Sequence, residues 1–202
     1  MKRLVFLFLV AMIGSQFAFG QGVSLSEAKS FISRERYGVL DGDFYCTDKY
    51  KDEAYEAPNS ALIKKWYIVP RNIFEKFQFG YIQFKQNGTF LLYLMEEGYH
   101  IEITGTWRRS KLDLNLTYNC NLAKAIADDM SGYSKRRQDE INKERISHQA
   151  TIRKKKIQKE KFEILKLTNE VFSFEKSIND SYFFSPYLMS EEYLEERISR
   201  WG

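Results

Sequence analysis

The sequence predicts a mainly β protein: an antiparallel up-and-down meander closing into an eight- or nine-stranded barrel. An N-terminal helix, a helical insertion and a short C-terminal helix accompany it. Three observations lead there. First, residues 77–118 break into four strand-like runs. In the third, Tyr99, Ile101 and Ile103 alternate with His100, Glu102 and Thr104; in the fourth, Leu112, Leu114, Leu116 and Tyr118 alternate with Asp113, Asn115 and Thr117. Such period-two alternation puts every apolar side chain on one face of a strand. Second, the runs are joined by short turns, which pair neighbouring strands antiparallel, and closing the meander removes its exposed edges. Third, aromatic residues make up 16% of the 202-residue chain, which suits a β-rich core.

Taken in order, residues 1–20 read as an export signal. Lys2 and Arg3 precede an apolar run at residues 4–13, too short to span a bilayer, and Ala18-Phe19-Gly20 offers a small-residue cleavage site. Cleavage after Gly20 gives a periplasmic or extracellular chain of one domain, residues 21–202. No cysteine stands near the site, so a lipid anchor is not expected. The alternative is a buried N-terminal helix. No later run is apolar enough to cross a membrane. Export would place Cys46 and Cys120, the only two cysteines, where disulfides persist; they form one bond or remain two separate buried thiols.

Ser24 and Glu27 fit a capping box for a helix carrying Leu25, Ala28, Phe31 and Ile32 on one face and ending near Gly38. Residues 39–47 hold a strand candidate, and residues 48–60 read as a polar loop. A strand follows at 62–69. The alternation slips at Gly80, which predicts a bulge. The three turns of the meander are Asn87-Gly88, Glu96-Glu97-Gly98 and Arg109-Ser110-Lys111. Residues 90–95 are apolar on both faces, as in a strand covered on both sides. Leu122, Ile126 and Met130 recur at helical spacing, predicting a helix ending near Gly132, and a second, largely exposed helix over 134–159. Strands return at 162–167, 171–174 and 182–187, and Ser190 caps a final helix with acids in its first turn.

The order of these runs resembles bacterial lipocalin-like domains. The resemblance is carried by Gln86-Asn87-Gly88-Thr89-Phe90, then Gly105-Thr106-Trp107, then Leu112-Asp113-Leu114, and a later pair running from Phe162 to Phe174. It covers residues 62–118 and 161–187. The departure is the helical insertion at 121–160, longer than the family's usual connection. The resemblance implies an up-and-down barrel or cupped sheet that can enclose an apolar cavity.

Two functional readings follow. In one, Phe84, Phe90, Leu92, Leu94, Ile101, Ile103, Trp107, Leu112, Leu114 and Phe174 line a pocket for a small hydrophobic ligand. In the other the same residues form a filled core, and the insertion faces an anionic surface or protein partner. The insertion carries eleven Lys or Arg against six Asp or Glu, with Arg153, Lys154, Lys155 and Lys156 consecutive. The whole chain is +4, and +2 without Lys2 and Arg3, so no global pull toward nucleic acid is expected. His100 and His148 are the only histidines, and no nucleophile elbow, zinc motif or phosphate loop appears. Neither catalysis, a cofactor nor a metal is therefore expected.

Overall fold

The computed structural model describes residues 22–35, 48–69, 79–176 and 187–200. Among these, the alternating segments form nine strands: β1 (Lys65–Val69), β2 (Gly80–Phe84), β3 (Thr89–Met95), β4 (Tyr99–Ser110), β5 (Asp113–Asn119), β6 (Lys124–Ala127), β7 (Ile157–Leu167), β8 (Val171–Lys176) and β9 (Tyr187–Ser190). Four α-helices are described: α1 (Leu25–Glu35), α2 (Asp48–Glu56), α3 (Lys135–Arg153) and α4 (Glu191–Ser199). No described helix is long and apolar enough to cross a membrane.

All strand pairs are antiparallel. Eight strands close a ring in the order β1-β2-β3-β4-β5-β7-β8-β9, with β9 returning to β1. The ninth, β6, continues the path of β5 along β4. Gly105–Ser110 of β4 pair with β5, whereas Tyr99–Glu102 of the same strand pair with β6.

The alternation decides what fills the ring. Trp66, Ile82, Phe84, Phe90, Leu92, Ile101, Ile103, Leu114, Phe162, Phe172 and Phe174 point inward and form one core. The opposite faces of β1, β8 and β9 make a second, outer core. Tyr67, Val69, Val171 and Met189 there meet Ala28, Phe31 and Ile32 of α1 and Leu194 of α4. The strands at this seam are apolar on both faces because both are covered. α1 starts with the expected reciprocal cap: the Glu27 amide donates to Ser24 Oγ at 3.2 Å and the Ser24 amide to Glu27 Oε2 at 3.1 Å. α4 starts at Ser190, whose Oγ accepts from the Tyr193 amide at 3.2 Å. Glu191 in its first turn bonds Lys65 Nζ at 2.7 Å and Tyr67 Oη at 3.1 Å.

Several expectations are corrected. Gly80 does not mark a bulge: β2 runs in unbroken register with β3 from Gly80 to Phe84. Phe79 belongs to the outer core and Ile82 and Phe84 to the inner one, so an uninterrupted strand puts them on opposite faces. The irregularity lies instead in β7, between Ile164 and Lys166. Residues 48–56 are helix α2, not a loop. Residues 120–127 are a 3-10 turn (Cys120–Leu122) and β6, not a helix; the unused edge of β4 recruits them into the sheet. Strand β7 begins at Ile157, five residues earlier than its apolar pattern, because its first half is a polar segment paired with β5. The Asn87-Gly88 turn has left-handed backbone only at Gly88 (φ 76°), and Asn87 Oδ1 accepts from the Thr89 amide at 3.1 Å. The strand candidates at 39–47 and 182–186 and the end of the first helix lie outside the described residues.

Candidate functional site

The barrel interior is the first place a ligand could sit. Phe84, Phe90, Leu92, Ile101, Ile103, Leu114 and Phe174 are each at most 2% exposed, and Trp107 is 8% exposed. Leu112 sits in the β4–β5 turn, partly buried against the same core. A water-sized or larger void would appear as accessible surface on its walls; these walls have almost none. Aromatic rings occupy the space. Phe84 meets Phe90, Trp107 and Phe172 at centroid distances of 6.4, 5.4 and 6.1 Å. Phe172 in turn meets Trp66 at 5.5 Å and Phe174 at 5.0 Å. The indole N–H groups are satisfied at the rims: Trp66 donates to the Leu62 carbonyl at 3.0 Å and Trp107 to the Lys85 carbonyl at 3.1 Å. Ala54 of α2 and Ile141 and Ile152 of α3 belong to the same core.

The second place is the outside, where α3 returns the chain to the barrel. Ile141 and Ile152 stand eleven residues apart, three helical turns, and so bury on one face, while Ile146 is exposed. The same helix covers the free flank of β6. Arg145 Nη1 donates to the Ala125 carbonyl at 2.9 Å, and Arg153 Nη2 to the Ala123 carbonyl at 3.3 Å. Arg153 is thus a structural clamp as well as a surface cation. Beyond it Lys154, Lys155 and Lys156 are exposed. Lys156 has left-handed backbone (φ 54°), and its carbonyl accepts from the Cys120 amide at 2.8 Å. This fastens the end of α3 to the segment after β5. Isoleucine spacing in the sequence hinted at a broken stripe, but nothing in it announced that two arginines serve backbone carbonyls.

Around the β3–β4 turn a cleft of about 440 Å³ is lined by Glu96, Glu97, Asp128 and Asp129 together with Lys29, Phe79, Met95 and Tyr133. The two acid pairs come from segments over thirty residues apart, so only folding brings them together. Arg137 Nη2 bonds Glu97 Oε2 at 2.7 Å and Arg137 Nη1 bonds Glu140 Oε2 at 3.1 Å. These bonds hold both carboxyls below the usual glutamate range. Both histidines sit where the insertion meets β4. His100 Nδ1 is 2.7 Å from Asp128 Oδ1 and stacks on Tyr93, and His148 Nδ1 is 3.2 Å from Tyr99 Oη. Burial pushes the Tyr93 and Tyr99 phenols up to about 12.

Cys120 is a buried thiol, and burial raises its pKa. Its expected disulfide partner, Cys46, lies outside the described residues. Glu160 is the one acidic side chain buried among the described residues, and no group of three or more His, Cys, Asp or Glu among them is arranged to hold a metal ion. The fold and these surfaces define a closed antiparallel barrel with a packed interior and a strongly polarised exterior. Comparison with protein-family models, with curated proteins and with solved structures found no match.

Proposed function

We propose that this chain is an exported, non-catalytic interaction protein in which a lipocalin-like barrel serves as a rigid scaffold and a basic corner of its surface binds an anionic partner. The observation that carries this reading is the corner formed by residues 119–124 and 153–159. It holds Lys124, Arg153, Lys154, Lys155, Lys156 and Lys159, all exposed; neither segment contributes an acid, and Glu102 of β4 lies opposite Lys124. Six cations on backbone fixed by hydrogen bonds exceed the net charge of the entire chain, +4. Such a patch attracts anions over roughly a Debye length, about 8–10 Å in physiological salt. The sealed interior supports placing recognition outside the barrel rather than within it.

The test is retention of the full chain on an immobilised sulfated polysaccharide. Wild type is expected to elute only with added salt, and Lys154→Glu/Lys155→Glu/Lys156→Glu at markedly lower salt. Equal elution of the two proteins would overturn the reading. So would native mass spectrometry of protein purified from its source if it showed a lipid-sized adduct that Ile103→Lys abolishes. That result would establish a small hydrophobic ligand inside the barrel.

A further inference from the structure

The basic corner is not uniformly polar. Leu122 and Ile157 stand on it, 62% and 61% exposed. Three contacts hold their segments side by side. The Cys120 amide donates to the Lys156 carbonyl, Asn119 lies opposite Ile157 in the β5–β7 register, and Arg153 reaches the Ala123 carbonyl. Along β7, Glu160, Phe162 and Ile164 are buried while Ile157, Lys159 and Lys161 are exposed, so the isoleucine and the lysines share the outer face. The acids of this face, Asp113 and Glu163, lie at the other end of the β5–β7 pair, where Asp113 engages Lys161 at 2.8 Å. Two aliphatic side chains therefore stand on segments that carry six cations, and Glu102 lies opposite Lys124 in the β4–β6 register.

We propose that this corner docks on an anionic phospholipid bilayer. The conclusion rests on the basic corner being the binding surface and adds what it binds. Lysines reach headgroup phosphates and keep their charge in water, whereas Leu122 and Ile157 lie at the height of the acyl boundary. A soluble polyanion would use the cations and leave both aliphatic side chains wet. Sites that track a single nucleic-acid strand place aromatic rings beside their cations for base stacking, and residues 119–124 and 153–159 include none. Arg153 is excluded from the test because it also clamps β6.

The experiment is flotation of the full chain with vesicles of phosphatidylcholine containing about one-third phosphatidylglycerol, against phosphatidylcholine alone. The chain is expected to float with the anionic vesicles only. Lys154→Glu/Lys155→Glu/Lys156→Glu should lower the partition by at least about 100-fold, since each cation near such a surface contributes roughly fivefold. Leu122→Ser/Ile157→Ser should lower it by about tenfold or more and leave retention on the polysaccharide unchanged. Because both side chains are exposed, that variant should melt like wild type. An Ile157→Trp variant should shift its emission to the blue on the anionic vesicles. If the serine variant floats as wild type does, or the tryptophan emission stays fixed, the bilayer proposal fails and the basic corner stands. If wild type is retained on the polysaccharide but never floats, the partner is a soluble polyanion and the bilayer proposal fails alone. If it binds neither, both readings fall.

Discussion

Gly105 faces the inside of the barrel from β4, where a side chain has no room. A Cβ there would meet the Thr117 carbonyl and stand 2.7 Å from Phe90 Cε1 and 2.8 Å from Tyr118 Cβ. Gly105→Ala is expected to lower stability by about 1–3 kcal/mol through overpacking, read as a lower urea midpoint at unchanged slope. Phe172 makes the opposite case. Its ring touches Trp66, Phe84 and Phe174, so Phe172→Ala opens a hole among aromatic side chains and should cost about 3–5 kcal/mol. A loss below about 1 kcal/mol would mean the interior collapses or was never filled.

Helix α2 illustrates how one side chain can place an element. Arg109, at the end of β4, donates to the carbonyls of Ala57 at 2.7 Å, Pro58 at 3.3 Å and Ala54. These are carbonyls at and just beyond the helix end, where intrahelical donors run out; the Pro58 carbonyl also accepts from the Ala61 amide at 3.0 Å. Arg109→Ala should raise hydrogen exchange across residues 52–57 and lower global stability by about 1–3 kcal/mol. Helix α3 is tied to the β3–β4 turn by Glu97, which bonds Arg137, while Glu140 holds the same arginine from within the helix. Glu97 and Glu140 both titrate below the ordinary glutamate value near 4.5 because Arg137 bonds them. Their contribution is therefore complete above that value and is lost as pH falls through the lower folded values. Exchange protection of α3 should drop on that acid side, and Glu97→Gln should flatten the drop. The sequence foretold the capping box of α1, the alternating strands and the acids starting α4, because each is a local pattern. It did not foretell α2 or β6. The anchor of α2 lies more than fifty residues away, and β6 exists because β4 outruns β5 and leaves an edge to be filled. The acid cleft was illegible for the same reason, whereas the run from Arg153 to Lys156 could be read directly.

At the scale of the molecule, closure depends on a short strand. β9 contributes Tyr187–Ser190 and pairs with β1 on one side and β8 on the other. Ending the chain at residue 186 would remove both ladders and the Leu194 anchor of the outer core. The expected result is loss of cooperative thermal unfolding by circular dichroism, because an opened sheet leaves two unpaired edges and an exposed aromatic face. A truncated chain that melts as sharply as the full one would show that closure is dispensable.

Strand β6 is the place where the sheet already ends, and α3 guards it with two guanidinium groups. Replacing Arg145 and Arg153 with alanine would uncover the carbonyls of Ala123 and Ala125 along an open ladder. A neighbouring copy could then add a strand of its own. Light scattering should reveal dimers or longer chains that grow with concentration in that double variant, while the wild type keeps one mass.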